Sequence, residues 1–172
     1  MAPAFLHCPR CAEKLVPRVL DDAGRPRERR VCPREGCGFV HYDNPLPVVA
    51  AIVERPETST VVLVRSRGWP PGLFGLVTGF LERAETPEAG VLREVEEELG
   101  LTAELVGLVG VYPFEMKNEL IVAYHVRARG EIRLGDELEA FKEVPIAKLR
   151  PWEFGTGLAV RDWLTRARPS SP

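Results

Sequence analysis

Residues 79–101, GFLERAETPEAGVLREVEEELGL, hold the feature that most limits what this chain can fold into. Glu94, Glu97 and Glu98 are spaced i, i+3, i+4, so on a helix they share one face. The ends of such a helix can be read directly. Thr86 is an N-cap, Pro87 takes the first helical position, Glu88 sits in the first turn, and Gly100 is a C′ stop. The segment 87–99 is therefore predicted to be helical. Like charges at this spacing repel by about a few tenths of a kcal/mol per pair. They also crowd the negative end of the helix dipole, where anions are least favoured. Either the face is simply solvated, or a cation absorbs the repulsion. Hard carboxylate oxygens suit Mg²⁺ or Mn²⁺ better than zinc.

Residues 1–43 differ in character from the rest. All 4 cysteines are here, as Cys8-x2-Cys11 and Cys32-x4-Cys37, set among Pro9, Pro33, Gly36 and Gly38. Two tight knuckles separated by about twenty residues can present four thiolates to one ion. The segment between them, LVPRVLDDAGRPRERRVC, reads as two short strands joined by an Asp-Asp-Ala-Gly turn. A structural Zn²⁺ held by Cys8, Cys11, Cys32 and Cys37 in a small zinc ribbon is the expected outcome, with a pair of disulfides as the alternative. With four sulfurs available, His7 and His41 are not needed as ligands. Arg25, Arg27, Arg29 and Arg30 form a basic run. It reads first as a solvated hairpin edge that blocks strand addition, and second as a phosphate-binding patch.

The 172 residues suffice for one core of ordinary size plus an appendage. A formal net charge of -2 argues against whole-protein attraction to nucleic acid or an acidic membrane. No apolar run is long enough to span a bilayer, and the first residues lack the form of a signal peptide. The expected location is the cytoplasm, where cysteines favour metal ligation over disulfides. After the linker at 41–45, strands are predicted at 48–54 and 60–65. A short one at 76–78 runs into Gly79, and two longer ones cover 105–112 and 120–129. Residues 136–143 are ambiguous, 156–168 read as an amphipathic helix, and 169–172 as a disordered tail. The expected domains are 1–43 and 44–168.

The residues Gly79-x5-Glu85-x7-Arg93-Glu94-Val95-x-Glu97-Glu98-x-Gly100-Leu101 match the Nudix box at every defined position. The chain thus resembles a Nudix hydrolase over about residues 45–150. The ribbon and the Tyr42-x-Asn44-Pro45 junction resemble the subgroup of NADH, FAD and ADP-ribose pyrophosphatases. The resemblance implies an α+β fold, an α/β/α sandwich around a mixed sheet, behind a zinc ribbon. It implies Mg²⁺- or Mn²⁺-dependent hydrolysis of the diphosphate bridge of a nucleoside diphosphate linked to another moiety, with release of a mononucleotide.

Carried onto this chain, the resemblance makes Glu94 and Glu98 the main metal ligands. Glu97 stands beside them, and the Gly79 carbonyl is a further oxygen donor. Arg93 orients Glu85 and Glu97, because a guanidinium fork fixes carboxylate geometry. A general base outside the box is expected among Glu115, Glu119, Glu137 and Glu139, with Glu137 preferred. Phe80, Tyr112 and Phe114 are candidates to stack on a base, and Trp69 or Phe74 to line the pocket wall. The Ser, Gln and Trp typical of NADH pyrophosphatases are missing around residues 108–114, where only Pro113-Phe114 and an aromatic remain. ADP-ribose, FAD and NAD(H) are all therefore candidate substrates, sharing an ADP-like half. A homodimer is the assembly implied by the family. The alternative function is a nucleotide sensor, or an RNA-cap-processing protein whose ribbon binds nucleic acid.

Overall fold

In the computed structural model the described residues are 5–167. The expected tail at 169–172 lies outside them. The chain divides between Asn44 and Pro45 into two compact units.

The first unit is a three-stranded antiparallel sheet of β1 (Val16–Asp22), β2 (Arg25–Val31) and β3 (Val40–His41), in that order. Ala23 and Gly24 make the turn of the β1–β2 hairpin with φ of 52° and 78°. Two consecutive left-handed residues give the turn a twist that matches the strands it joins. Its core is small: Cys8, Leu15 and Cys32, with Cys11, Cys37 and Phe39 against them.

In the second unit the organising strand is β4 (Leu46–Arg55). Its residues Val48, Val49, Ala50, Ala51, Ile52 and Val53 are all at most 5% exposed, so both of its faces are covered. That explains the unbroken apolar run, since only a strand buried on both sides has no polar face to show. One side of β4 pairs in parallel with β8 (Glu119–Arg129). The other side pairs antiparallel with β6 (Val77–Phe80) and then with β5 (Thr60–Ser66). β7 (Thr102–Phe114) and β9 (Leu138–Pro145) close the six-stranded mixed sheet, whose main path runs β7-β8-β4-β5-β9. The ambiguous stretch 136–143 thus resolves as an edge strand. With one neighbour only, β9 does not need the apolar alternation of a central strand.

A helix packs on each face of the sheet. α1 (Pro87–Leu99) lays Val91, Val95 and Leu99 on Val49, Ala51 and Val53. α2 (Gly157–Ala167) lays Val160, Trp163 and Leu164 on Val48, Ala50 and Ile52. The sandwich follows from the two-residue period of β4, which sends alternate side chains to opposite helices. The ends of α1 are those the sequence predicts. The Thr86 hydroxyl accepts from the Ala89 amide, and Gly100 takes φ 65° and donates to the Glu96 carbonyl.

Leu99 is fully buried in the last turn of α1, one residue beyond Glu98. Truncating it to Ala should cost about 2–5 kcal/mol of unfolding free energy. Trp69, Trp152 and Trp163, all 3 tryptophans of the chain, lie in the second unit. Urea denaturation followed by their fluorescence would therefore measure that unit directly. A midpoint unchanged from wild type would show that α1 is not packed as described.

Candidate active site

Arg93 organises the acidic face of α1. Its Nε donates to Glu85 Oε1 at 2.8 Å and its Nη2 to Glu85 Oε2 at 3.0 Å, a two-pronged grip. Nη1 donates to Glu94 at 2.7 Å and to Glu97 at 2.9 Å. Nη2 also reaches the Phe80 carbonyl at 3.1 Å, tying the end of β6 to the helix. The guanidinium beside Glu85, helped by the Glu82 backbone amide, holds that carboxyl down at about 2. Glu85 therefore stays ionised throughout the physiological range and keeps Arg93 fixed.

The chain crosses closest to this face at Gly79. A Cβ built there would lie 1.9 Å from the Glu94 carboxyl, so any other residue would evict Glu94. On the far side, the loop after β8 closes over the C-terminus of α1. The Arg133 amide donates to the Leu99 carbonyl at 2.8 Å and the Gly135 amide to the Glu98 carbonyl at 2.9 Å. These contacts satisfy carbonyls that a helix end leaves without intrahelical partners. They also require Gly135, because a Cβ there would meet the Glu97 carbonyl oxygen at 2.5 Å. Glu137, two residues on, is thereby delivered to the cavity that Gly79, Arg93, Glu94 and Glu97 line.

Two of the carboxylates are in the wrong place for a bare anion. Glu94 is 9% exposed and Glu98 8%. Burial raises the Glu94 carboxyl above its ordinary value despite the neighbouring Arg93. Burial, followed by the charges of Glu94, Glu137 and Glu97, pushes Glu98 up to about 8. One oxygen of Glu98, Oε2, is buried with no hydrogen-bond partner. Such an atom is costly unless something positive binds it. The donor set is all oxygen, which fits a hard divalent cation. The residues fit Mg²⁺ or Mn²⁺, and Glu94, Glu97 and Glu98 are the ones that could hold it.

The acidic cavity, of about 340 Å³, adjoins a second of about 230 Å³. Val48, Thr78, Lys117 and Glu119 line both. The second is aromatic, with Trp69, Phe74, Phe114, Trp152 and Phe154 in its wall. Phe114 is thus at the site, and so is Phe80, which is 54% exposed at the acidic cavity. Tyr112 is not. It is 8% exposed in the core on the α2 side and donates its hydroxyl to Asp162 at 3.0 Å. Alternation along β7 sends Tyr112 and Phe114 to the same side of the sheet, but the hydrogen bond to half-buried Asp162 holds the tyrosine inside. Lys117, Trp152 and Glu119 join the site through tertiary folding. Of these only Glu119 stood among the expected base candidates. Glu139 is engaged with Arg65 at 3.4 Å.

In the first unit the four cysteine sulfurs converge. Cys8 and Cys37 are 3.6 Å apart, Cys11 and Cys32 3.5 Å, and Cys11 and Cys37 3.8 Å. A tetrahedral site with Zn–S arms of about 2.3 Å has edges of about 3.8 Å, and a disulfide would bring sulfurs to about 2.05 Å. All four are free thiols. A backbone hydrogen bond at Glu13 lowers the Cys11 thiol, whereas burial pushes the Cys32 thiol up to about 12, so it is the convergence of the sulfurs that supports ligation. Among the described residues this is the only group of three or more His, Cys, Asp or Glu whose ligand atoms all lie within 4.8 Å of one another. The glutamates stand wider, with Arg93 inserted between them.

Comparison with known proteins places this geometry. The NUDIX domain model matches residues 44–163. The sequence is 35% identical to the NAD-capped RNA hydrolase NUDT12 of Pongo abelii over 69% of this chain and 26% of that protein. It is 37% identical to the NAD-capped RNA hydrolase NudC of Mycobacterium bovis over 68% of this chain and 36% of that one. The chain thus matches about a quarter to a third of the length of these curated relatives. A NUDIX hydrolase structure from Nitrosomonas europaea superposes with a TM-score of 0.72 at 24% identity, covering 84% of this chain and 80% of that one. This last likeness concerns the fold.

The raised Glu98 carboxyl fixes a pH dependence. Between its ordinary value of 4.5 and about 8 the unfolded chain has lost a proton that the folded chain keeps. The folded state binds more protons there, so without metal this group makes stability fall as pH rises from about 5 to 8. Glu98→Gln should flatten that slope. Mg²⁺ binds the ionised form and should raise Tm more at pH 8 than at pH 5.5. At about a hundredfold over Kd the gain is about 2.7 kcal/mol, several degrees in Tm. Equal Mg²⁺ shifts at both pH values in thermal melts would remove Glu98 from the metal site.

A second expectation concerns the cysteines. Protein purified under reducing conditions should contain one zinc per chain by elemental analysis. Cys8→Ser combined with Cys37→Ser should bring it to background. Absence of zinc in the wild-type protein would overturn the ribbon assignment.

Proposed function

The chain belongs to the Nudix family, and on that premise we propose that it hydrolyses the diphosphate bridge of a nucleoside diphosphate linked to a second moiety. The observation that carries the reading is the orphaned Glu98 oxygen, in electrostatic reach of Glu94, Glu97 and Glu137, which line a cavity that adjoins an aromatic one. A divalent cation, if held by Glu94, Glu97 and Glu98, would supply charge neutralisation of the bridge and a more acidic water.

The protein's own groups do the rest. Glu94, Glu97 and Glu98 hold the charge that attracts the cation, with the Gly79 carbonyl as a further donor. Arg93, locked by Glu85, keeps Glu94 and Glu97 in place. Glu137 stands at the cavity and takes the proton from the attacking water. The water oxygen bonds to one phosphorus, the bridging oxygen leaves with the other phosphate, and a mononucleotide is released. Lys117, at the mouth shared by both cavities, offers the positive charge that meets the diphosphate. Phe114, Phe74 and Trp152 present faces on which a base can stack, and exposed Phe80 flanks the reacting end.

The substrate class we assign is ADP-ribose, FAD or NAD(H), and the relatives named for NAD-capped RNA favour the NAD-like end of it. Those names also motivate a second reading, action on a nucleotide-capped RNA gripped by the ribbon arginines. Steep salt dependence of RNA binding would support it and a flat one would exclude it. The ribbon's zinc is structural in this proposal. A cytoplasmic location is part of the proposal, since cysteines grouped for a metal rather than paired in disulfides are usual there, and no helix among the described residues is long and apolar enough to cross a membrane. A homodimer is the proposed assembly.

A panel of ADP-ribose, NADH, NAD and FAD with Mg²⁺ or Mn²⁺ tests the activity, with Glu98→Gln as the inactive control. Glu137→Gln should lower kcat by about 10²–10⁴-fold, the usual worth of a general base, while leaving the fold intact. A wild-type rate would take Glu137 out of the chemistry and leave Glu119 in its place. Turnover of none of the panel would end the enzymatic reading.

A further inference from the structure

The aromatic cavity has another side. Leu73, Phe74, Trp152 and Phe154 line it, and the same four side chains also wall a neighbouring groove of about 320 Å³. That groove is lined by Lys142, Lys148 and Arg150, and by no acidic residue. Lys142 comes from β9, Lys148 from the 3-10 turn Ile146–Lys148 that follows it, and Arg150 from just beyond. The Lys142 ammonium stands 4.2 Å from the centroid of the Phe74 ring, the ring shared with the aromatic cavity.

Among the described residues no carboxylate neutralises these three charges, although Lys142 rests on the Phe74 ring. Arg150 spends its Nη1 on the carbonyls of Ala147 and Leu149, at 3.2 and 3.0 Å. Among the described residues, none of the three forms a salt bridge. The two acids that flank Lys142 on β9 are engaged elsewhere, while Glu153, three residues after Arg150, is exposed and does not line the groove. Glu139 pairs with Arg65 at 3.4 Å, and Glu143, on the opposite face of β9 from Lys142, accepts from Thr60 at 2.9 Å. In a chain of net charge -2 this concentration is not a by-product of overall basicity. Stems that snorkel over apolar surface explain where the side chains lie, but not why three cations converge with no acid between them.

We propose that this groove is a subsite for an additional phosphate carried on the ribose of the substrate's nucleotide half. The proposal rests on the reading that the aromatic cavity takes the nucleoside. With a base against one face of the shared wall, a phosphate on the 2′ or 3′ ribose oxygen reaches over that wall to the cations. Lys142 and Lys148 supply point charge, and the free arm of Arg150 supplies directed donors. The site then favours nucleotides phosphorylated on the ribose over those that are not.

Calorimetric titration of the full chain with AMP, adenosine 2′,5′-bisphosphate and adenosine 3′,5′-bisphosphate tests this without any turnover. One bisphosphate should bind at least about tenfold tighter than AMP, the worth of one charge-assisted contact, and which one wins identifies the phosphorylated oxygen. The double variant Lys142→Gln, Arg150→Gln should bring that bisphosphate down to the level of AMP and leave AMP binding unchanged. Both residues are exposed and line neither the acidic nor the aromatic cavity. Equal binding of all three ligands, or a double variant that retains the bisphosphate advantage, would overturn the subsite alone. Failure of AMP and both bisphosphates to bind would overturn the nucleoside reading of the aromatic cavity as well.

Discussion

The Arg93 guanidinium holds together groups that would otherwise push apart. Glu85, Glu94 and Glu97 all sit within 3.0 Å of it, and the Phe80 carbonyl takes the remaining donor direction. A lysine in this place would offer the charge but not the planar fork, and only a fork can grip Glu85 with two parallel bonds while reaching two further carboxylates. The strand end, the loop and the helix are therefore fixed by one side chain. What Arg93 does not reach is Glu98. The carboxyl that it leaves without a partner is the one buried deepest, and that asymmetry is what the proposed cation would answer.

The scaffold behind this cluster is rigid for a reason separate from charge. β4 is covered on both faces and paired on both edges, so β6 and Gly79 are held at the centre of the sheet. α1 is packed on that sheet through Val91, Val95 and Leu99. Hydrophobic burial thus bears the cost of holding Glu94 and Glu98 in a poorly solvated place. The apolar face of α1 and its acidic face are two sides of one device: the first supplies the stability that the second consumes.

How much of this could be read in the sequence depended on how far apart the contributing residues lie. The helix, its caps and the acidic face were legible because every determinant falls within 79–101 and obeys a 3.6-residue period. The cysteine cluster was legible because knuckles are local and only one pairing of knuckles exists. β4 was legible as an apolar run. β9 was not, because an edge strand bearing Glu139, Lys142 and Glu143 lacks a clean alternation. Tyr112 was misplaced for a related reason: sequence shows an aromatic near the box but not that Asp162, fifty residues later, captures its hydroxyl. Trp152 and Lys117 gave no local signal. One lies beyond the last strand and the other in a hairpin turn, and only the parallel pairing of β4 with β8 brings the turn to the cavity.

The same distinction separates the reaction from the substrate. Chemistry at the diphosphate needs a few carboxylates in fixed relation, and one helix with one arginine can supply them from a contiguous stretch. Recognition of what lies beyond the diphosphate needs a wall, and the cavity proposed for it is assembled from the loop before β6, the end of β7 and the segment ahead of α2. Those pieces are far apart in the chain and free to change without disturbing Arg93. On the proposed reading, a chain built this way can keep its reaction while its substrate drifts, and substitutions at Phe74, Phe114 and Trp152 would alter what is bound without touching the carboxylates.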